Sequence, residues 1–123
     1  MSRTSEVYVA STCGLESLVS TLESQLGLSF RRYEEDWGPR YEAYDGQIGI
    51  VVLEHDLVDD RDMEFSRYPY EISVEGLDQD PVIRETQRQD YARMIYDKLT
   101  ALGLYSLMLT EDAQKKVAEY RRS

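Results

Sequence analysis

Four strand patterns follow one another between Phe30 and Gly76, with no helical stretch among them and an amphipathic helix on either side. Phe30 to Glu35 reads as one strand. Tyr41 and Ala43 begin the next. Ile48-Gly49-Ile50-Val51-Val52-Leu53 is a nearly continuous apolar run and is expected as the central strand. Tyr68, Tyr70, Ile72 and Val74 alternate with Glu71, Ser73 and Glu75, the pattern of a strand with one wet face, and Gly76 ends it. Asp36-Trp37-Gly38-Pro39 reads as a turn or loop, because Gly and Pro both interrupt pairing. Asp45-Gly46 signals a two-residue hairpin. Leu57 to Ser66 is a charged connection.

The flanks complete the plan. Glu6-Val7-Tyr8-Val9-Ala10 alternates and is rich in β-branched residues, so it predicts a first strand. Leu15, Leu18, Val19, Leu22 and Leu26 lie on one face of a helix. Ser11 or Thr12 is expected to cap that helix, and Gly27 to stop it in the left-handed conformation with Leu28 as the apolar lid. Asp80-Pro81 starts a second helix, Tyr91, Met94, Ile95, Leu99 and Leu102 form its buried stripe, and Gly103 ends it. Leu104 to Leu109 predicts a short strand inserted beside an earlier one. Thr110 is then expected to cap a last helix, with Glu111 and Asp112 at its positive end and Arg121 and Arg122 at its negative end. The resulting order, β-α-β-β-β-β-α-β-α, predicts an α+β two-layer sandwich, a mainly antiparallel sheet with helices on one face. No repeat or long linker divides residues 1–123, so a single domain is expected.

Charge is uneven along this plan. Residues 34–80 hold fifteen acids against Arg40, Arg61 and Arg67, whereas the rest of the chain holds nine acids and eleven bases. The same stretch carries the only Trp and four of the ten tyrosines. A net charge of −10 argues against nucleic-acid binding, because phosphates would be repelled, and favours a basic partner or simple solubility. Arg outnumbers Lys eleven to three and Asn is absent, a bias that genome composition or a salty habitat could also produce. No apolar run reaches the ~18 residues of a membrane span, the Met1-Ser2-Arg3-Thr4-Ser5-Glu6 lead is polar, and one Cys allows no internal disulfide. These features fit a cytoplasmic protein.

Catalytic chemistry has little support. Cys13 opens a helix, where a thiol can be activated, but no second Cys or Gly-rich loop accompanies it, and nothing places His55 beside it. The plainer reading is a small buried thiol and a surface imidazole. Asp60, Asp62, Glu64 and Glu71 fall at positions one, three, five and twelve of a calcium-loop spacing. Phe65 occupies the position that needs Gly, and no helices flank the segment. The run from Asp56 to Glu64 therefore reads as a solvated, mobile acidic loop, with no metal and no cofactor expected. Arg84 and Arg88, one turn apart, read as surface partners for nearby acids.

The aromatic residues interleaved with acids are the stronger signal. Tyr and Trp supply contact area at low entropic cost, while carboxylates steer a cationic partner and penalise wrong ones. The expected contact set is Glu34, Glu35, Asp36, Trp37, Tyr41, Tyr44, Asp59, Asp60 and Asp62. Trp37, beside Gly38 and Pro39, is either an exposed anchor or a plug over the end of the sandwich. Tyr33, Tyr68 and Tyr70 belong to the same aromatic group, part of which would serve as sheet filler.

Size, acidity, the absence of a catalytic set and a short strand after the long helix give the chain a resemblance to the small acidic immunity proteins of bacterial toxin systems. The segment Ala101-Leu102-Gly103-Leu104-Tyr105-Ser106-Leu107-Met108-Leu109-Thr110-Glu111-Asp112-Ala113-Gln114 is similar to C-terminal ends in such families, as is the aromatic strand around Tyr68-Pro69-Tyr70. The resemblance implies a non-enzymatic inhibitor whose acidic face occludes a basic toxin, often a nuclease, as a monomer or homodimer. The alternatives are a small-ligand or regulatory α+β domain and a self-associating subunit of an assembly.

Overall fold

A computed structural model describes residues 3–122; Met1 and Ser2 of the polar lead, and Ser123, lie outside them. The elements run β1 (Thr4–Ala10), α1 (Leu15–Leu26), β2 (Arg31–Glu35), β3 (Gly38–Asp45), β4 (Ile48–Glu54), a 3-10 turn at Phe65–Arg67, β5 (Tyr70–Gly76), α2 (Pro81–Leu102), β6 (Ser106–Glu111) and β7 (Lys115–Tyr120). The seven strands form one sheet in the order β2-β3-β4-β5-β1-β6-β7. Every pairing is antiparallel. The expected α+β sandwich, with its helices over one face, is the architecture found.

Two-residue turns explain much of the register. Gly46, at φ 58°, closes the β3–β4 hairpin opposite Asp45 and Ile48. That pairing sets Ala43 against Ile50 and Tyr41 against Val52. Tyr41, Ile50 and Val52 join Val7, Val9, Ile72, Val74, Leu107 and Leu109 on one face of the sheet, against Leu18, Val19 and Leu22 of α1 and Ala92, Ile95 and Leu99 of α2. α1 ends as its sequence predicts: Gly27 is left-handed at φ 67°, and its N–H and that of Leu28 both donate to the Glu23 carbonyl, at 2.9 and 3.3 Å. Asp80 caps α2 by accepting from the Val82 and Ile83 N–H groups. No helix among the described residues is long and apolar enough to cross a membrane.

Several expectations are corrected. The last helix does not form: residues 115–120 are β7, paired with β6, and Thr110 is fully buried in β6. Ala, Gln, Lys and Glu at 113–119 favour a helix locally, but pairing with β6 returns more than the propensity of a few residues. The hairpin turns through Asp112 and Ala113, both at positive φ, and Gln114 donates back to the Glu111 carbonyl. Asp112 and Ala113 are held there by Thr4 and by the buried Glu6 carboxylate, which accepts from Ala113 N–H at 2.7 Å and Thr110 Oγ1 at 2.7 Å. Neither Ser11 nor Thr12 caps α1; Gly14 precedes it without a side-chain cap, and Ser11 Oγ accepts from Cys13 N–H instead. The apolar run of β4 is interior, but β5 occupies the middle of the sheet. Gly38 and Pro39 lie within β3 rather than in a loop, with Pro39 ahead of the first β3–β4 pair, where its missing N–H is tolerated. Leu102 is exposed, whereas Arg88 takes a place in the buried stripe of α2.

Arg88 is 3% exposed and is not a surface residue. It donates to Glu111 at 2.7 Å and to Ser5 Oγ at 3.1 Å, and Ser5 in turn donates to Glu111. α2 is thereby tied to both β1 and β6.

The face of the sheet away from the helices is covered over only part of its width. There the connection from β4 to β5 sends Met63, Phe65 and Tyr68 inward against Tyr8 and Met108. Tyr68 donates to Glu119 at 2.6 Å. The connection is thus pinned by a second small core, not held away as a solvated loop. The sheet edges are polar: β2 reads Arg-Arg-Tyr-Glu-Glu, and β7 begins Lys-Lys. Charged edges discourage strand addition.

Candidate functional site

The β2–β3 hairpin turns at Asp36 and Trp37, with Gly38 at φ 135°, a conformation that favours glycine. The tight turn drives Trp37 outward, and it is 59% exposed. It stands as a ridge between two clefts. One, of about 400 Å³, lies against the start of α1 and is lined by Cys13, Leu15, Glu16 and Pro39. The other, of about 550 Å³, lies on the far side and is lined by Leu53, Leu57, His55, Asp56 and Glu71. Trp37 and Glu54 form part of both.

Register explains what lies beneath the second cleft. Arg40, Leu53, Glu71 and Tyr8 sit side by side on successive strands, and one row away so do Glu42, Val51, Ser73 and Glu6. Their side chains point away from the helices, because the neighbouring positions Tyr41, Val52, Ile72 and Val7 fill the main core. Glu71 therefore enters a half-buried position beside Tyr8, with Glu6 close by. Burial first, and then the Glu6 charge, push the Glu71 carboxyl up to about 7. Glu6 is raised as well, chiefly by burial. Tyr8 is fully buried, and its hydroxyl, beside Glu71, has no hydrogen-bond partner of ordinary geometry.

His55 is held by its surroundings. Its Nδ1 accepts from Leu57 N–H at 3.0 Å, so its proton sits on Nε2 and is donated to the Tyr68 carbonyl. Its ring packs edge-on against Tyr8, with centroids 5.2 Å apart. Cys13 is exposed rather than buried, and its cleft is not the one lined by His55.

The residues expected to form a contact face are divided by the fold. Asp36 and Trp37 form the ridge. Tyr44, 60% exposed, lies over Gly49 and donates to Glu42. Glu34 pairs with Arg32 at 2.6 Å on the helix side of β2, while Glu35 pairs with Arg40 at 3.3 Å. Tyr41 is a correction: it is 8% exposed and packs in the main core, because the hairpin register turns it inward opposite Val52. Asp59, Asp60 and Asp62 line neither cleft. Asp59 accepts from the N–H and hydroxyl of Ser66, Asp60 pairs with Met63 across a local turn, and Asp62 meets Lys116 at 3.7 Å. Glu64 pairs with Arg67 and Arg121, so the calcium-loop spacing is dispersed. Among the described residues no group of three or more His, Cys, Asp and Glu is placed to hold a metal.

Comparison with protein-family models, with characterised proteins and with solved structures returned no match. The site is therefore described by its own residues. Leu53, Glu54, Asp56, Leu57 and Glu71 lie outside the contact set that the sequence pattern suggests. Alternation along β5 places Glu71 on the face opposite Ile72 and Val74, but only the pairing of β5 with β1 brings it beside Tyr8.

Proposed function

We propose that the chain is a non-enzymatic binding protein that docks a basic protein through the Trp37 ridge, as an inhibitor of the immunity type. The observation that carries this reading is the exposure of Trp37 between two clefts in which Glu54, Asp56 and Glu71 form no ion pair among the described residues, while Glu16 of the first cleft pairs with Arg32 at 3.3 Å. An exposed indole flanked by recesses is the shape of an interface anchor. Unpaired acids beside it raise the encounter rate with a cationic surface and disfavour acidic ones. The other large exposed apolar side chains are spread over several elements: Tyr44 on β3, Leu57 and Val58 in the β4–β5 connection, Leu77 after β5, Val82, Ile83 and Leu102 on α2, Leu104 after it and Val117 on β7. The acids Asp59, Asp60 and Asp62 keep a part as outlying charge, which acts mainly on the association rate.

The test compares wild-type protein and Trp37→Ala as immobilised baits in extract of the native host, at low and high salt. The expected result is a basic protein retained by the wild type, weakened by about 2–4 kcal/mol in Trp37→Ala and associating more slowly as salt rises. Its activity should fall when the wild-type chain is added. Retention that ignores both Trp37 and salt would overturn the proposal.

A further inference from the structure

We infer that the cleft between the Trp37 turn and the His55–Leu57 segment receives one long basic side chain, arginine or lysine, presented by the partner. The inference rests on the docking reading above and names the group that enters. The chemistry of the cleft selects such a group. Leu53 and Leu57 offer an apolar wall for an aliphatic stem, and Trp37 offers a ring face to a cation. Glu71 waits at the sheet surface for the charged head, with Glu54 and Asp56 at the rim.

The cleft contains no cation of its own. Both nitrogens of His55 are committed, one to Leu57 N–H and the other to the Tyr68 carbonyl. Glu54, Asp56 and Glu71 have no ion-pair partner among the described residues, although Glu35 and Glu42 nearby are both met by Arg40. Beneath Glu71 the fully buried Tyr8 hydroxyl lies beside the Glu71 carboxyl and has no other polar partner. An anionic ligand would face three carboxylates. A neutral one would leave the half-buried Glu71 without an ion pair once it ionises above about pH 7. A guanidinium or ammonium supplies what this environment lacks.

Binding should then be linked to pH. The titratable groups facing Glu71 are Tyr8 and Glu6 of β1, Glu54 at the end of β4, and His55 and Asp56 of the connection. Burial keeps the Glu71 proton in place up to about pH 7, so an entering cation must displace it at lower pH. Affinity for a basic side chain should rise about tenfold between pH 6 and pH 8.

Trp37, the only tryptophan, lines this cleft and the one against α1, so the Glu71→Gln comparison assigns its fluorescence response to this one. N-acetyl-arginine amide and N-acetyl-lysine amide are titrated against full-length protein, with N-acetyl-citrulline amide as the neutral control. One or both cationic probes should change Trp37 fluorescence saturably, on the order of millimolar, and citrulline should not. Glu71→Gln should weaken the response at least about tenfold at pH 8 and remove its pH dependence, while Asp90→Asn on the exposed side of α2 leaves both intact. Equal binding of citrulline, no saturable change, or an unaffected Glu71→Gln response would each overturn the inference. If the probes fail while Trp37-dependent capture of a basic protein persists, the cleft assignment falls and the docking reading stands. If the probes bind but no basic partner is captured, the docking reading falls and, with it, the assignment of the cleft to a partner's side chain.

Discussion

Replacing Glu71 by Gln should stabilise the protein at alkaline pH and flatten its pH dependence. Glu71 has a folded-state value of about 7 against an ordinary 4.5. The fold thus prefers the protonated carboxyl. Below pH 4.5 both folded and unfolded chains hold the proton, and that preference is fully present. Between 4.5 and 7 the unfolded chain ionises first, so stability falls. Above 7 the folded chain carries a half-buried charge, at a cost on the order of 3 kcal/mol. Glu6, raised in the same direction, steepens the decline, and Glu71→Gln also relieves it of a neighbouring charge. Asp59 and Glu119 are lowered, so their contributions are lost only as pH falls below the ordinary carboxylate range, in a separate window. Urea unfolding followed by far-ultraviolet circular dichroism at pH 5, 6, 7 and 8 measures the effect. The wild-type midpoint should fall across this range. Glu71→Gln should vary less and exceed wild type at pH 8 by about 2–3 kcal/mol, once the desolvation of the amide is allowed for. Asp90→Asn, an equal change in net charge at an exposed site, controls for general self-repulsion. A wild-type midpoint that rises towards pH 8, or a Glu71→Gln protein less stable than wild type there, would refute the argument.

Arg88→Ala should cost about 3–5 kcal/mol, because it strands Glu111 and Ser5, and it should lower the melting temperature by more than about 10 °C. The double change Arg88→Met with Glu111→Leu should recover most of that loss in the same thermal scan, because an apolar pair leaves no unpaired charge. Gly76→Ala should cost about 1–3 kcal/mol in urea unfolding, since its Cβ would lie 2.4 Å from the Arg84 carbonyl oxygen and force the first turn of α2 off the sheet.

Much of this fold is legible in short-range patterns. The leucine stripe of α1, the left-handed stop at Gly27, the Asp45-Gly46 hairpin and the Asp80-Pro81 cap each depend on neighbours within about one turn. What was not legible depends on distant partners. Residues 115–120 have helical composition, and β6 makes them a strand. Arg88 looks like a surface charge until it is counted four residues before Ala92 and seven before Ile95, on the buried stripe. Tyr41 carries the same local signature as Tyr44, yet the hairpin register sends one inward and the other out. At the candidate site Trp37 was visible, because a lone indole beside Gly and Pro is conspicuous. Glu71 and Tyr8 were not, because β1 and β5 become neighbours only across more than sixty residues of chain.

The placement of β1 affects how the molecule can assemble. It lies between β5 and β6, so the strand made first is enclosed only by residues made much later. A growing polypeptide that has not reached Ser106 leaves Val7 and Val9 with one bare backbone margin. Ribosome-held or prematurely stopped chains would therefore be the adhesive form of this protein, and release of the C-terminal hairpin is the step that closes the sheet.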